Sequence, residues 1–256
     1  IPFMLSPSPS MGISESLFEA FSGLSTTGAT VLTGIDQLPR SILYYRQQLQ
    51  WLGGMGIVVL AVAIMPMLGV GGMQLYRTEM PGPLKDNKLS PRIADTAKTL
   101  WMIYCALTLL CALAYWLAGM NVFDAIGHSF STIAIGGFST HDASIGYFDS
   151  PLIELICIFF MAISGMNFAL HFLSLRSRSL KAYLKDPECL TYLKILTIVF
   201  VIAAAILILY NHYDDPLLSI RYAAFQVVSV ATTTGFGVTD FSIWPSFLPF
   251  LLLYTT

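Results

Sequence analysis

Charge is scarce in this sequence. Lys, Arg, Asp and Glu make up 11% of its 256 residues, about half the share of an ordinary soluble domain. That scarcity excludes a water-exposed surface of the usual kind. A net charge of −2 also removes the overall basicity expected of a nucleic-acid binder. The four cysteines (Cys105, Cys111, Cys157, Cys189) form no CxxC pair, and three of them sit in apolar runs, where a thiol acts as a small hydrophobe. Neither a disulfide framework nor a metal site is expected. His128, His141, His171 and His212 make no ligand cluster. No signal peptide is visible. The chain opens at IPFMLSPSPS and stops at LLLYTT inside an apolar run, so it reads as a piece of something longer.

What remains is hydrophobic. Apolar residues are 55% of the chain, with 17 Phe, 12 Tyr and four Trp, and the mean hydropathy is +0.70. Runs long enough to cross a bilayer, roughly 20 residues, occur at Trp51–Val70, Leu100–Leu117, Leu152–Leu175 and Tyr192–Tyr210, and a fifth starts near Trp244. A more polar turn at Tyr45–Gln50 leads into the first, and Pro66 kinks or ends it. The linkers Gly71–Thr99 and Arg176–Lys194 hold ten of the thirteen basic residues, including Arg77, Lys85, Lys88, Arg92, Lys98 and Arg178. Both are therefore expected to be cytoplasmic. Segments 118–151 and 211–243 then face outward, with six aspartates against Arg221, an acidic face suited to gathering cations.

Each outward segment holds an apolar stretch too short to span, Val122–Ile135 and Leu217–Thr232, followed by glycine-rich polar residues. This pattern predicts re-entrant hairpins. The hairpins repeat. Anchored on Gly28, Gly137 and Gly235, the sequence reads FSGLSTTG, FSTIAIGG and VSVATTTG. A serine lies six residues before each glycine (Ser22, Ser131, Ser229), and Asp142 and Asp240 lie five after the second and third. Glu15 and Asp124 lie thirteen before the first and second. The expected organisation is residues 1–70 as repeat 1 (pore loop and second span), 71–93 as a cytoplasmic linker, 94–175 as repeat 2, 176–190 as a second linker, and 191–256 as repeat 3 up to the start of its second span. A fourth copy downstream is expected to complete a ring.

The fold class is thus all-α integral membrane, with helix–re-entrant loop–helix units around a central ion pore. A polar loop at membrane depth must be buried or line a wet cavity. Loops meeting on an axis can present backbone carbonyls that replace the hydration shell of an alkali cation. Glycine, adopting positive φ, lets successive carbonyls turn inward, and pore helices ending just before the loops aim their negative dipole ends at the cation.

The stretches FEAFSGLSTTGAT, STIAIGGFSTHD and VATTTGFGVTDF, with QWLGGMGIVVLA and MAISGMNFALHF, resemble the Trk/Ktr/HKT superfamily of potassium transporters, closest to its bacterial TrkH-like branch. The resemblance covers essentially the whole chain. It implies four fused hairpins around a potassium pathway, with filter residues Thr26-Thr27-Gly28, Ile135-Gly136-Gly137 and Thr233-Thr234-Gly235, and Asp142 and Asp240 at the outer mouth. Gly28 stands where potassium-selective members carry glycine and some sodium-conducting plant members carry serine. The resemblance further implies the bacterial inner membrane, a homodimer, a cytosolic nucleotide-binding regulatory subunit on the basic inner face, and no cofactor beyond the transported K+.

Two other classes compete. An intramembrane protease needs GxGD or GxSG, but Val238 stands at the aspartate position of Gly235–Val238, and Ala162 replaces the first glycine before Ser164-Gly165. His171 shares a run with Ser164, whereas a base from another helix is expected. A non-transporting structural subunit would leave the repeat unexplained. Close packing accounts for Gly53-Gly54-Met55-Gly56 and for Ser164-Gly165, and interhelical hydrogen bonding for Asn167 and His171. Arg46 is expected to reach the membrane interface, and Gly69–Gly72 lacks the βαβ setting of a nucleotide site.

Overall fold

Asn or Asp side chains followed by proline or an apolar run start four of the helices, and the apolar runs carry them. The computed structural model describes residues 2–6, 10–59 and 93–255, which contain helices and loops and no strand. After a single turn, α1 (Pro2–Leu5), come α2 (Ile13–Leu24), α3 (Arg40–Val59), α4 (Ile93–Leu117), α5 (Val122–Ile133), α6 (Pro151–Ser164), α7 (Phe168–Ser177), α8 (Lys181–Lys185), α9 (Pro187–Leu209), α10 (Pro216–Ala231) and α11 (Phe247–Leu253). Asn121 caps α5 by accepting from the Asp124 amide, Asp186 caps α9 through Cys189, and Asp215 caps α10 through Leu217. Each cap satisfies an amide that the first helical turn leaves free. Pro187 and Pro216 occupy the first helical position, where their missing N–H costs nothing.

Among the described residues, α9 and the Ala97–Leu117 part of α4 are long and apolar enough to cross a membrane; the bent pair α6–α7 makes a third if counted as one span. α3 packs on both α2 and α5, α5 packs also on α4 and α6, and α6 packs on α10, which lies along α9. Each second helix of a repeat is therefore wedged between its own re-entrant helix and the next one. The largest core, built on α4, α5, α6 and α10, buries Tyr104, Cys111, Tyr115, Met120, Cys157, Met161, Phe225 and Phe236. All four cysteines are free thiols, three of them buried, in keeping with their apolar setting.

The re-entrant stretches are helical close to the predicted bounds, but two spans differ. First, Tyr45–Gln50 is the middle of α3, not a turn before it. Arg46, Gln47 and Gln50 are buried to 1%, 0% and 0% exposure, so hydropathy places the helix too late. Arg46 does not reach the interface. Second, Leu152–Leu175 is not one straight span: α6 and α7 meet at 90°. Asn167 restarts the helix by accepting from the Ala169 amide at 2.9 Å, so it caps its own helix rather than bridging to another. At the break the Tyr192 hydroxyl, from α9, donates to the Ala162 carbonyl at 3.1 Å, and His171 Nε2 contacts the Ile163 carbonyl at 3.1 Å. Pro66, Gly69–Gly72, Arg77, Lys85, Lys88, Arg92 and the first span beyond Val59 lie outside the described residues.

The same notch occurs without a break in α3. There the Tyr104 hydroxyl donates to the Trp51 carbonyl at 3.0 Å. A Cβ on Gly54 would stand 2.8 Å from the Tyr104 hydroxyl, and one on Gly165 would stand 2.7 Å from that of Tyr192. The glycines of GGMG and SGM thus make room for a tyrosine from the next repeat, a specific form of the close packing expected there.

Candidate functional site

The three glycine-centred segments share one backbone design. α2, α5 and α10 each end four residues before the glycine. In each, an amide one residue before the glycine bonds back to the carbonyl of the repeated serine: Thr27 to Ser22, Gly136 to Ser131 and Thr234 to Ser229, all at 2.9 Å. The preceding amides, on Thr26, Ile135 and Thr233, bond to Gly23, Thr132 and Val230. This pair of bonds is a Schellman cap, whose left-handed residue is usually glycine. Here it is Thr26 (φ 56), Ile135 (φ 54) and Thr233 (φ 59). A β-branched residue in that conformation is strained, and it recurs at all three ends.

Two residues later the glycines have φ of 75, 74 and 81, while the residue between keeps negative φ. An extended chain with negative φ throughout points successive carbonyls to opposite sides. Reversing the sign at alternate residues turns them to one side. The segments also touch in order: a Cβ on Gly28 would overlap the Gly136 carbonyl oxygen, and one on Gly137 the Thr234 carbonyl oxygen. The matching position on Gly235 has no atom within 4 Å, and a cleft of about 440 Å³ runs along that segment from Thr233 and Gly235 to Asp240.

Each loop is braced from its own helix at one register that sequence comparison passes over, nine residues before the glycine. Glu19, His128 and Gln226 stand there, all essentially buried. Glu19 accepts from the Thr30 hydroxyl at 2.9 Å and the Val31 amide at 3.2 Å, and Gln226 donates to the Thr239 carbonyl at 2.6 Å. His128 Nδ1 lies 2.9 Å from the Asp124 carbonyl, which can only accept, so Nδ1 carries the proton. Nε2 then accepts from the Ser139 hydroxyl at 2.9 Å. The signal available in the sequence was a polar residue at a fixed offset before each glycine.

Neighbouring loops are tied by charge. Arg46 donates to Glu19 at 2.8 Å, to the Ser139 carbonyl at 3.1 Å and to Thr30 at 3.2 Å, and lies over the Phe138 ring. It joins the first and second loops. Glu154 of α6 takes a bidentate bond from Arg221 of α10, both at 2.6 Å. His141 stacks on Tyr147 and bonds to Asp36 and Asp124, while Asp36 and Asp142 exchange backbone amide bonds. Its bond from His141 holds the Asp36 carboxyl below the usual carboxylate range. Asp142 and Asp240 are exposed.

Asp240 caps the turn Phe241–Ile243 through the Ser242 amide, and the Ser242 contacts hold its carboxyl below the usual range. A lowered value means the negative charge is complete above the ordinary carboxylate pKa, about 3.9, and disappears only as pH falls through the lowered one.

Ser164 and His171 do not form a nucleophile–base pair. The buried Ser164 hydroxyl has no hydrogen-bond partner, and both ring nitrogens of His171 are occupied, by Tyr183 and the Ile163 carbonyl. No metal-binding group of His, Cys, Asp or Glu occurs among the described residues.

A family model described as "TrkH: Cation transport protein" matches residues 1–255. The chain is 62% identical over 253 residues to the Trk system potassium uptake protein TrkH of Escherichia coli (strain K12), covering 99% of this chain and 52% of that protein. It is 43% identical over 240 residues to TrkG of the same organism, covering 93% and 49%. The crystal structure of the potassium transporter TrkH from Vibrio parahaemolyticus superposes with a TM-score of 0.88 at 52% identity, covering 99% of this chain and 51% of that one. The chain spans about half the length of the curated relatives it matches.

Proposed function

Because this chain belongs to the TrkH family of cation transport proteins, we propose that it carries three walls of a potassium filter in the transmembrane subunit of a Trk-type uptake system. The observation that carries the reading is the ordered contact of three segments with alternating φ, Gly28 against Gly136 and Gly137 against Thr234. The filter residues would be Thr26–Gly28, Ile135–Gly137 and Thr233–Gly235. Carbonyls turned to one side supply oxygens in place of ion-bound water. The carboxyl ends of α2, α5 and α10 bring the negative ends of their dipoles to the same place. Permeation needs no covalent step, so the protein acts as a transporter and not as an enzyme.

The setting is the bacterial inner membrane. The repeat boundaries are those read from the sequence, and Asp142 and Asp240 belong to the outer mouth. A homodimer and a cytosolic nucleotide-binding regulatory subunit, docked on linkers 71–93 and 176–190, complete the system. The open edge at Gly235 is the side on which a further wall would close the ring. Intact protein in vesicles should therefore pass Rb+ in preference to Na+, and Gly235→Ala should impair that preference as much as the same change at Gly28 or Gly137. Absence of flux from purified intact protein would sink the transport reading. Normal selectivity in Gly235→Ala would remove the further wall from that edge.

A further inference from the structure

The second wall is held differently from the other two. In walls one and three a hydroxyl pair lies directly under the glycine, Ser25 with Thr27 and Thr232 with Thr234, each at 2.7 Å. The serine six residues before the glycine also donates to the carbonyl just after it, Ser22 to Ala29 at 2.5 Å and Ser229 to Phe236 at 2.7 Å. Wall two has neither brace. Ala134 and Gly136 occupy the hydroxyl positions, and Ser131 donates to the side-chain oxygen of Gln47.

Gln50 of α3 fills the gap. Its amide nitrogen donates to the Gly136 carbonyl, and its oxygen accepts from the Phe138 amide at 3.0 Å. One side chain from the first repeat thus grips the second wall on both sides of Gly137. Gly136 has ordinary negative φ, so its backbone does not require glycine. A Cβ there would instead collide with the Gln50 amide group. Glycine stands at 136 to admit Gln50.

We infer that Gln50, supported by Gln47, is the positioning residue of the second filter wall, so that ion discrimination at this wall is set by the spanning helix of the neighbouring repeat. The inference rests on the potassium-filter reading above. A buried backbone group deprived of its partner loses orientation as well as energy. With both Gln50 bonds gone, the Gly136 peptide can rotate away from the ions.

The test measures the Rb+/Na+ permeability ratio of the intact protein in vesicles, alongside the amount of folded protein. Gln50→Leu removes both bonds, and Gln50→Glu keeps the acceptor for Phe138 while setting an oxygen against the Gly136 carbonyl. Each should lower the ratio about tenfold, the equivalent of one lost buried hydrogen bond. A merely structural role would lower protein yield and total flux and leave the ratio unchanged. The exchange variant Gln50→Ala/Ala134→Ser/Gly136→Thr gives wall two the hydroxyl brace of walls one and three, and should restore most of the ratio. Normal ratios in Gln50→Leu and Gln50→Glu, with Gly137→Ser impaired, would overturn the inference and leave the filter standing. A normal ratio in Gly137→Ser would remove the filter itself. Should Gln50→Leu not fold, the exchange variant decides: a selective protein supports the inference, and a non-selective one overturns it.

Discussion

Replacing Gly137 by alanine is expected to abolish growth on low potassium and to lower potassium-over-sodium discrimination by about tenfold or more. Two costs act together. A non-glycine residue at φ 74 costs about 1–2 kcal/mol. The added methyl group would also overlap the Thr234 carbonyl oxygen, a backbone atom of the adjoining wall that cannot swing aside as a side chain would. Relief requires either wall to shift, and a shift at this distance changes the spacing of the oxygens proposed to replace ion hydration. Gly119→Ala is the control. It has φ 107 with open space around it, so it bears conformational strain alone and should leave selectivity unchanged. Competitive Rb+ and Na+ uptake measures both; a Gly137→Ala protein with the original ratio would remove this segment from the ion path.

Arg46→Met is expected to destabilise the protein by about 3–5 kcal/mol, because it leaves the Glu19 carboxylate buried without its cationic partner. Both side chains are at 1% exposure or less. The same change severs the link from α3 to the Ser139 carbonyl and Thr30, so the first and second loops lose a shared anchor. Arg40, exposed at the start of α3, serves as comparison, and Arg40→Met should cost no more than about 0.5 kcal/mol. Thermal unfolding in detergent separates the two variants. Equal stabilities would show that the Arg46–Glu19 pair contributes nothing.

The glycine register was legible from the residues, because Ser22, Ser131 and Ser229 repeat as identical letters, and so was the all-helical membrane fold. The residue nine places before each glycine was not, since Glu19, His128 and Gln226 share a role without sharing a chemistry. Matching by identity cannot see a position where acid, imidazole and amide each hold a loop. Arg46, Gln47 and Gln50 were hidden for another reason. Hydropathy assigns polar residues to water, yet these three are buried against polar partners, Glu19, Ser131 and the backbone of the second loop, so α3 was expected to begin near Trp51 instead of Arg40. The break within Leu152–Leu175 escaped because α6 and α7 are both apolar, and only Asn167 marks the restart.

The tyrosine at that break has a bearing on leakage. A helix broken within a bilayer leaves carbonyls that ordinarily call in water, and water strung through a membrane protein conducts protons. The Tyr192 hydroxyl and the His171 ring occupy the carbonyls of Ala162 and Ile163, so these two carbonyls need no solvent partner. For a potassium path of the kind proposed, two carbonyls closed to water are two fewer steps for a proton crossing the membrane.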